Sequence, residues 1–295
     1  MDGILPLWKP RGMTSHDCVM KCRKLYNTKK VGHTGTLDPE VDGVLPICIG
    51  QATKIVPFLT DTKKTYIAEV KIGIATDTED AHGNIMEEKV VKESPSKKII
   101  EKVLNRFTGT ITQVPPMYSA VKVNGKKLYE YARENKTVER PKREVTIYEL
   151  DLLAVHESSF QVRVVCSKGT YIRTLCVDIG KQLGYPAHMS NLTRIKTAAF
   201  SKKNSVTFDT IEEKVKKNEQ EQLLLPIVKG LDHLDKLLVD EKTKIKVLNG
   251  QKLPKPVRKI TTDPFLMMYD EKLLAIYQNH PENMDQIKPV RVFNG

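Results

Sequence analysis

The chain has 295 residues, of which 40% are hydrophobic and 28% are charged, so it is long and apolar enough to bury a sizeable core. Lys and Arg number 48 against 36 Asp and Glu, and the net charge of +12 favours nucleic acid as a partner over a membrane surface, since no basic amphipathic helix with bulky apolar anchors is evident. No signal-peptide core and no apolar run of about eighteen residues occur, which predicts a soluble, cytoplasmic protein.

The N-terminal segment predicts a capped helix. Thr14 followed three residues later by Asp17 forms a capping-box pattern, and the helix it opens should run to about Tyr26. The cysteines are scattered and contain no CxxC pair, which predicts buried, reduced thiols rather than disulfides or a zinc site. They are Cys18, Cys22, Cys48, Cys166 and Cys176.

The stretch from Val31 to Gly50, VGHTGTLDPEVDGVLPICIG, places Asp38 in a loop directly before an apolar run. A loop that only had to turn could use Gly and Pro alone, so Asp38 is either a helix or turn cap or a working group. The glycines and threonines of residues 32–36 could also cradle a phosphate through their backbone N–H groups, although such short loops are common.

The next elements are a half-buried strand, a polar turn and a helix. Residues 64–74, KTYIAEVKIGI, alternate apolar and polar side chains with the period of a strand, and residues 97–106 predict a helix. Between them, ATDTEDAHGN contains Asp77, Glu79, Asp80 and His82, which could hold a metal but are more typical of a polar turn. We therefore predict no metal site.

The segment from Pro115 to Glu144 interleaves aromatic side chains with many Lys and Arg residues around the tight-turn signal Asn124-Gly125. This composition is typical of an arm that contacts phosphates and bases, and the alternative is a solvated, charged surface helix. The predicted RNA-binding cations of the arm are Lys122, Lys126, Lys127, Arg133, Lys142 and Arg143.

The second half of the chain begins with a strand at residues 160–167, a Lys168-Gly169-Thr170 turn and an amphipathic helix that Gly184 ends. The Lys-rich stretch before Leu223 predicts a solvated helix or connector. After about Val239, short apolar runs broken by Gly and Pro predict a small all-β module.

Neither GxxxxGK[ST] nor GxGxxG occurs, so no nucleotide cofactor is indicated. Four motifs, GHTGTLDP, KKTY at Lys63 to Tyr66, PPMYSAVKVNG and CSKGTYIRTL, together resemble the bacterial tRNA pseudouridine-55 synthases (the TruB family) in order and spacing. The resemblance runs from about Gly3 to Leu231. A looser resemblance, carried by VLNGQKL, links the C-terminal segment to the PUA RNA-binding module of that family.

The resemblance implies an α+β fold with a mixed, largely antiparallel central sheet, flanking helices and an inserted RNA-binding arm, plus a small C-terminal β-rich PUA-like domain. It places a catalytic domain at residues 1–239, with the arm at about 120–145, and the PUA-like domain at 240–295. The implied substrate is the T-arm stem-loop of tRNA, with no cofactor, no protein partner and a monomeric state.

The reaction that the resemblance implies breaks the bond from N1 of uridine to C1′, turns the uracil and rejoins it through C5. A carboxylate near C1′ suits this chemistry, and by resemblance it is Asp38. Tyr66 matches the tyrosine that stacks on the flipped uracil, and Arg173 matches the arginine that pairs with the catalytic aspartate. Because a base inside a folded stem is out of reach, the nucleotide should be flipped into a pocket.

The resemblance also implies substrate-binding roles for four further residues. His33 matches a histidine that fills the space left by the flipped base, and Leu192 matches an apolar residue under the pocket, while Tyr171 and Lys9 belong to matching motifs. The chain departs from the family at Glu40 and Asp42, two carboxylates that would raise the pKa of Asp38 if they faced the pocket, and we expect both to point outward.

Two rival functions use the same residues differently. An RNA-binding or RNA-folding protein would keep the fold and the basic surface without chemistry, and the set Asp38, Tyr66 and Arg173 argues against it. A glycosidase-like hydrolase would release free uracil.

Overall fold

The computed structural model describes residues 1–293 and divides their strands between two main sheets and two small hairpins. The strands are, in chain order, β1 (Gly3–Lys9), β2 (Val31–His33), β3 (Asp42–Ile49), β4 (Lys64–Ile72), β5 (Ile74–Thr76), β6 (Ile85–Glu88), β7 (Gly109–Gln113), β8 (Lys122–Val123), β9 (Lys126–Lys127), β10 (Arg143–Val155), β11 (Ser159–Cys166), β12 (Ala187–Thr197), β13 (Phe200–Ser201), β14 (Lys236–Leu238), β15 (Leu253–Pro254), β16 (Phe265–Tyr269), β17 (Lys272–Asn279) and β18 (Gln286–Val292). The helices are α1 (Ser15–Leu25), α2 (Val56–Thr60), α3 (Lys97–Leu104), α4 (Leu128–Arg133), α5 (Ile172–Gln182), α6 (Phe208–Lys216) and α7 (Glu241–Leu248). None of these described helices has the length and apolar character needed to span a membrane.

The larger sheet has nine strands in the order β1-β3-β12-β4-β11-β10-β7, with β2 beside β3 and β13 beside β12. Its pairs are antiparallel except for β3 with β12, which run parallel. This arrangement confirms the predicted mixed, largely antiparallel central sheet. In this strand order β4 and β12, which bear Tyr66 and Leu192, are neighbours.

Helix α1 begins as its sequence predicts. The Thr14 hydroxyl accepts a hydrogen bond from the Asp17 N–H at 3.0 Å, and the Asp17 carboxylate accepts one from the Thr14 N–H at 2.8 Å, so both halves of the capping box are present. Cys18 and Cys22 are buried on its inner face, and all five cysteines are free and buried, as predicted.

The main core lies between one face of the central sheet and the helices α1, α3, α5 and α6. On β4, alternate residues from Tyr66 to Ile72 are buried because a strand directs every second side chain to the same face. On α5 a helical stripe that includes Leu175 and Ile179 is buried against β12 and β4. Both elements that frame the candidate site are therefore anchored in the core.

The smaller sheet has five strands in the order β14-β16-β17-β18-β15 and forms the predicted C-terminal β-rich domain. The sheet begins at β14 (Lys236–Leu238), which pairs with β16, and the domain boundary at residue 240 stays a prediction. The module also contains a helix, α7, which starts when the Asp240 carboxylate caps the N–H of Thr243 at 2.7 Å, so it is not all-β.

The two sheets share an apolar cluster. Leu266 and Ile276 of the C-terminal sheet are fully buried in the same cluster as Val44 and Ile55 of the N-terminal part. Nearby, the Lys54 ammonium donates to the Val292 carbonyl at 2.7 Å. The C-terminal domain is therefore packed against the rest of the chain through a continuous core.

Candidate active site

The loop between β2 and β3 is anchored on both sides of Asp38. The Ser15 hydroxyl accepts from the Leu37 N–H at 2.9 Å, and the side chains of Leu37 and Val41 are buried. The Asp38 side chain itself is 43% exposed, and its carboxylate contacts a guanidinium rather than capping a backbone N–H. The geometry thus resolves the question raised by the loop sequence, because Asp38 is held at the surface of a pocket and is not a cap.

Lys9 supports this loop from behind. Its side chain is fully buried, and the ammonium donates to the carbonyls of Pro10, Pro39 and Val41 at 2.8, 3.0 and 2.7 Å. Burial lowers the pKa of Lys9. In this conformation the ammonium holds the backbone of the loop, and the substrate-binding role of Lys9 stays a prediction.

Arg173 lies at the junction of three chain segments. Its Nε is 3.1 Å from Oδ2 of Asp38, while Nη1 donates to the Thr78 carbonyl at 3.0 Å and Nη2 donates to the Tyr118 carbonyl at 2.9 Å. The planar guanidinium can satisfy three acceptors in fixed directions, which a lysine cannot do. The predicted pairing of Arg173 with Asp38 is present, and two backbone carbonyls hold the guanidinium in place.

Tyr66 and Leu192 lie on adjacent strands at the base of the same pocket. In the register of β4 and β12, Tyr66 is opposite Arg194 and Leu192 is opposite Ala68. Both side chains are largely buried, and burial raises the pKa of the Tyr66 phenol, so this group is neutral near pH 7. The pocket therefore offers an aromatic ring and an aliphatic side chain beside the carboxylate.

The pocket has a volume of about 460 Å³. Five predicted site residues share its lining, namely Asp38, Tyr66, Tyr171, Arg173 and Leu192. Tyr171 precedes α5, and its backbone is fixed by Gln113, whose side chain accepts from the Tyr171 N–H at 3.0 Å and donates to the Tyr171 carbonyl at 3.1 Å. Residues that are far apart in sequence thus converge on one concave site, which is typical of ligand pockets.

His33, like Lys9, is a predicted substrate-binding residue that does not line this pocket. It ends β2, is half-buried, and its Nδ1 has no hydrogen-bond partner within residues 1–293. Burial and the nearby charge of Arg194 lower the pKa of His33, which keeps the imidazole neutral. This Nδ1 atom is itself inaccessible to solvent, so a contact of His33 with RNA stays a prediction.

The two extra carboxylates of the loop do not line the pocket. The Glu40 side chain is half-exposed, and its carboxylate lies 4.0 Å from the His82 ring. The Asp42 carboxylate accepts from the Thr193 hydroxyl at 2.7 Å and pairs with Arg11 at 3.3 Å. Glu40 therefore points outward as expected, and Asp42 is held by neighbouring side chains outside the pocket.

The acidic residues of the turn after β5 hold the turn together. Asp77 accepts from the Asn84 N–H at 2.9 Å, Asp80 accepts from the Thr78 hydroxyl at 2.7 Å, and Glu79 accepts from the Thr174 hydroxyl at 2.7 Å. Among the described residues, no group of three or more His, Cys, Asp or Glu side chains has the arrangement of a metal site. The turn instead supplies the Thr78 carbonyl that holds Arg173.

The arm consists of a small hairpin, β8 with β9, followed by α4. Asn124 and Gly125 both have positive φ, as the predicted tight turn requires. Lys126 pairs with Glu134 and lies over the Tyr131 ring, and Lys127 lies over Tyr129, so these cations are partly engaged within the arm.

The remaining predicted cations of the arm differ in their surroundings. Arg133 stacks over Tyr129 at 5.3 Å from the ring centroid, and Arg143 is the first residue of β10 and pairs with Gln113 in the sheet. Lys122 and Lys142 are exposed and form no ion pair in the part of the chain that the structure describes. The Arg143 side chain is also exposed and forms no ion pair among the described residues, so Lys122, Lys142 and Arg143 are the arm cations that are free to contact phosphates.

Two buried cations of the pocket lining, Lys64 and Arg194, were not among the predicted site residues. The signal was available, because Lys64 is two residues before Tyr66 and Arg194 is two residues after Leu192 on alternating strands. Gly43 permits the approach of β12, since a Cβ at this position would lie 2.2 Å from the Arg194 carbonyl oxygen.

Comparison with known proteins gives consistent matches over the whole chain. Residues 23–172 match the family described as TruB family pseudouridylate synthase (N terminal domain), and residues 173–236 match tRNA pseudouridylate synthase B C-terminal domain. A protein of Oceanobacillus iheyensis named tRNA pseudouridine synthase B is 65% identical over 301 residues, covering 99% of this chain and 98% of its own. A Listeria welshimeri protein of the same name is 52% identical over 300 residues, with the same coverage. Among solved structures, a chain from "Crystal Structure of a Cbf5-Nop10-Gar1 Complex" superimposes with a TM-score of 0.74 at 28% identity, covering 99% of this chain and 84% of that chain.

Proposed function

The chain belongs to the TruB family of pseudouridine synthases, isomerases that convert uridine in tRNA to pseudouridine, and from this premise we propose that it modifies uridine 55 in the T-arm by flipping the base into the pocket beside Asp38. The observation that carries the proposal is the Asp38–Arg173 pair at the surface of a pocket whose base holds Tyr66 and Leu192.

Asp38 acts at C1′ of the flipped nucleotide. When the bond from N1 to C1′ breaks, C1′ becomes electron-deficient, and a carboxylate can attack it, stabilise its charge or accept a nearby proton. Arg173 aims the carboxylate, since its Nε contacts Oδ2 while two backbone carbonyls hold its other nitrogens. The isomerisation adds and removes no atoms, so these steps need no redox cofactor or group carrier.

The flipped uracil lies against Tyr66 and above Leu192. Stacking on the tyrosine offsets part of the cost of unstacking the base, which is roughly a few kcal/mol. Tyr171 closes another side of the pocket from the start of α5, and His33, beside the catalytic loop, occupies space that the flipped base vacates. The neutral phenol of Tyr66 suits a stacking partner that can also pass a proton near C5.

Recognition of the tRNA outside the pocket relies on cations. The arm at residues 120–145 presents Lys122 and Lys142 to phosphates, and the Lys- and Arg-rich C-terminal domain, a PUA-like module in this proposal, adds affinity for RNA long enough to reach it. The net charge of +12 supports long-range attraction to the polyanion.

The test is to incubate the purified protein with a T-arm stem-loop and with whole tRNA, without added metal or nucleotide, and to map pseudouridine in the product. Pseudouridine at position 55, and none in RNA with cytidine at that position, is the expected result. Release of free uracil would indicate the hydrolase instead, and RNA binding without either product would indicate a non-catalytic RNA-binding protein.

A further inference from the structure

Two buried cations line the pocket without a carboxylate partner. Lys64 is 6% exposed and Arg194 is 1% exposed, and within residues 1–293 neither forms an ion pair. Their nearest acceptors are neutral backbone carbonyls. A buried positive charge without a counter-charge is costly, so two of them in one pocket indicate that the missing negative charge comes from the substrate.

The backbone contacts of Lys64 leave part of its ammonium available. Nζ donates to the Thr60 carbonyl at 2.5 Å and to the Thr62 carbonyl at 2.7 Å, which uses two of three N–H donors. Arg194 is held more fully, with Nε donating to Val44 at 2.8 Å and Nη2 donating to Gly35 at 3.1 Å. Lys64 is thus a fixed ammonium with one donor left for a group in the pocket.

Both cations lie beside the ring on which the base is proposed to stack. Lys64 and Tyr66 are two residues apart on β4 and therefore lie on the same face of the strand. Arg194 is opposite Tyr66 on β12, and its guanidinium contacts the phenol oxygen. Asp38 lines the same pocket. Both cations therefore line the pocket in which the uracil is proposed to bind.

We propose that the Lys64 ammonium, supported by Arg194, stabilises the negative charge that develops on the uracil when it detaches from the ribose. This inference rests on the proposed function and adds a catalytic residue to it. When N1–C1′ breaks, its electron pair stays on N1, so the base becomes an anion with charge shared over N1, O2 and O4. C5 then bonds to C1′, the C5 proton is lost and N1 gains a proton, so the charge is transient and the net composition is unchanged.

A cation aimed at transient charge accelerates the chemical step without tightening ground-state binding, because the intact uridine carries no such charge. A phosphate-binding role predicts the opposite, since the phosphates are charged before and after reaction. The burial of Lys64 also favours the base over a phosphate, because the RNA backbone stays solvated at the pocket entrance.

The protonation of Lys64 provides a readout that a purely structural lysine would lack. Burial lowers its pKa to about 8, and the nearby charges of Arg194 and Lys168 act in the same direction, while Cys166 and Asp61 oppose them. The group is therefore charged at neutral pH and loses its charge as pH rises through about 8. The rate constant of the chemical step should fall over the same range.

The experiment compares Lys64→Met and Lys64→Arg with wild type, measuring the dissociation constant for a T-arm stem-loop and the single-turnover rate constant at saturating RNA from pH 6 to about 10. We expect Lys64→Met to lower the rate constant roughly 10- to 100-fold at pH 7 with little change in the dissociation constant, as removal of an electrostatic stabiliser does. The decrease in the rate constant that wild type shows as pH rises through about 8 should be absent from Lys64→Met. Lys64→Arg should recover part of the rate and shift that fall to higher pH, since Arg stays charged.

The matched control is Lys63→Met, because Lys63 is the adjacent residue but is exposed, with its ammonium 4.0 Å from the Tyr148 ring centroid. It should react like wild type. Provided that wild type forms pseudouridine, three results for Lys64→Met would each overturn the inference. They are an unchanged rate constant, an unchanged pH profile, and a larger dissociation constant with a normal rate constant at saturation. If Lys64→Met fails to fold by circular dichroism, the pH profile of Lys64→Arg decides. No pseudouridine from wild type would instead refute the proposed function.

Discussion

Replacing Arg173 with lysine keeps one positive charge in the site but removes the fork that joins three segments. In the native protein one guanidinium contacts the Asp38 carboxylate at 3.1 Å and the carbonyls of Thr78 and Tyr118 at 3.0 and 2.9 Å. A single ammonium on a flexible stem cannot reach acceptors that lie in three directions. We expect Arg173→Lys to leave the Asp38 carboxylate poorly aimed.

The size of the effect follows from the contact that is lost. A hydrogen bond to a charged group contributes roughly 1.5–3 kcal/mol, and Asp38 is 43% exposed, so water screens the pair and the lower half of that range applies. About 1.5–2 kcal/mol of lost transition-state stabilisation corresponds to a rate that is roughly 10- to 30-fold lower. RNA binding should change little, since Arg173 is buried beneath the pocket surface.

The assay is single-turnover formation of pseudouridine in a saturating T-arm stem-loop, together with the dissociation constant of the same RNA. The control is Arg163→Lys, because Arg163 pairs with Glu149 and Asp151 at 2.7 Å on the exposed part of the sheet, away from the pocket. A wild-type rate constant in Arg173→Lys would refute the positioning role, and so would an equal loss in Arg163→Lys.

Three further outcomes test other parts of the account. The double variant Lys122→Gln and Lys142→Gln should bind RNA more weakly, and the slope of log affinity against log salt should become shallower by roughly one per lost phosphate contact. An unchanged slope would support the alternative that the arm is a solvated surface helix. Leu266→Ala, in the cluster shared by the two sheets, should lower the free energy of unfolding by about 2–5 kcal/mol, with a single calorimetric transition; two separate transitions would contradict a continuous core. A chelator should leave the reaction rate unchanged, and loss of activity that a transition metal restores would require a new role for residues 77–82.

The fold was predictable where a pattern depends on neighbouring residues. The capping box of Thr14 and Asp17 is local, and the alternation on β4 reports directly which face is buried. Helix α7 was missed because its segment shows short apolar runs, whereas the helix is set by the Asp240 cap and by packing against β17. Strand β14 could not be predicted for a similar reason, since it is three residues long and is defined only by its partner β16.

The site was predictable where a motif carries the chemistry, and incomplete where tertiary burial decides the role. Asp38 and Arg173 were expected to pair, and they do. Lys9 was assigned to substrate binding from a shared motif, which stays a prediction, and only the fold reveals three carbonyls around its ammonium. Lys64 and Arg194 were not predicted as site residues: their spacing from Tyr66 and Leu192 is visible in the sequence, but their burial without a carboxylate partner is visible only in the fold.

The most direct test of the central claim is Asp38→Asn, which keeps the shape of the side chain and removes its charge. Purified variant and wild type are compared at saturating T-arm stem-loop under single-turnover conditions, with pseudouridine mapped in the product and the dissociation constant measured in parallel. The account predicts that the variant binds the RNA with close to wild-type affinity and forms no pseudouridine above the background of contaminating enzyme. Turnover clearly above that background would contradict the assignment of Asp38 as the group that acts at C1′.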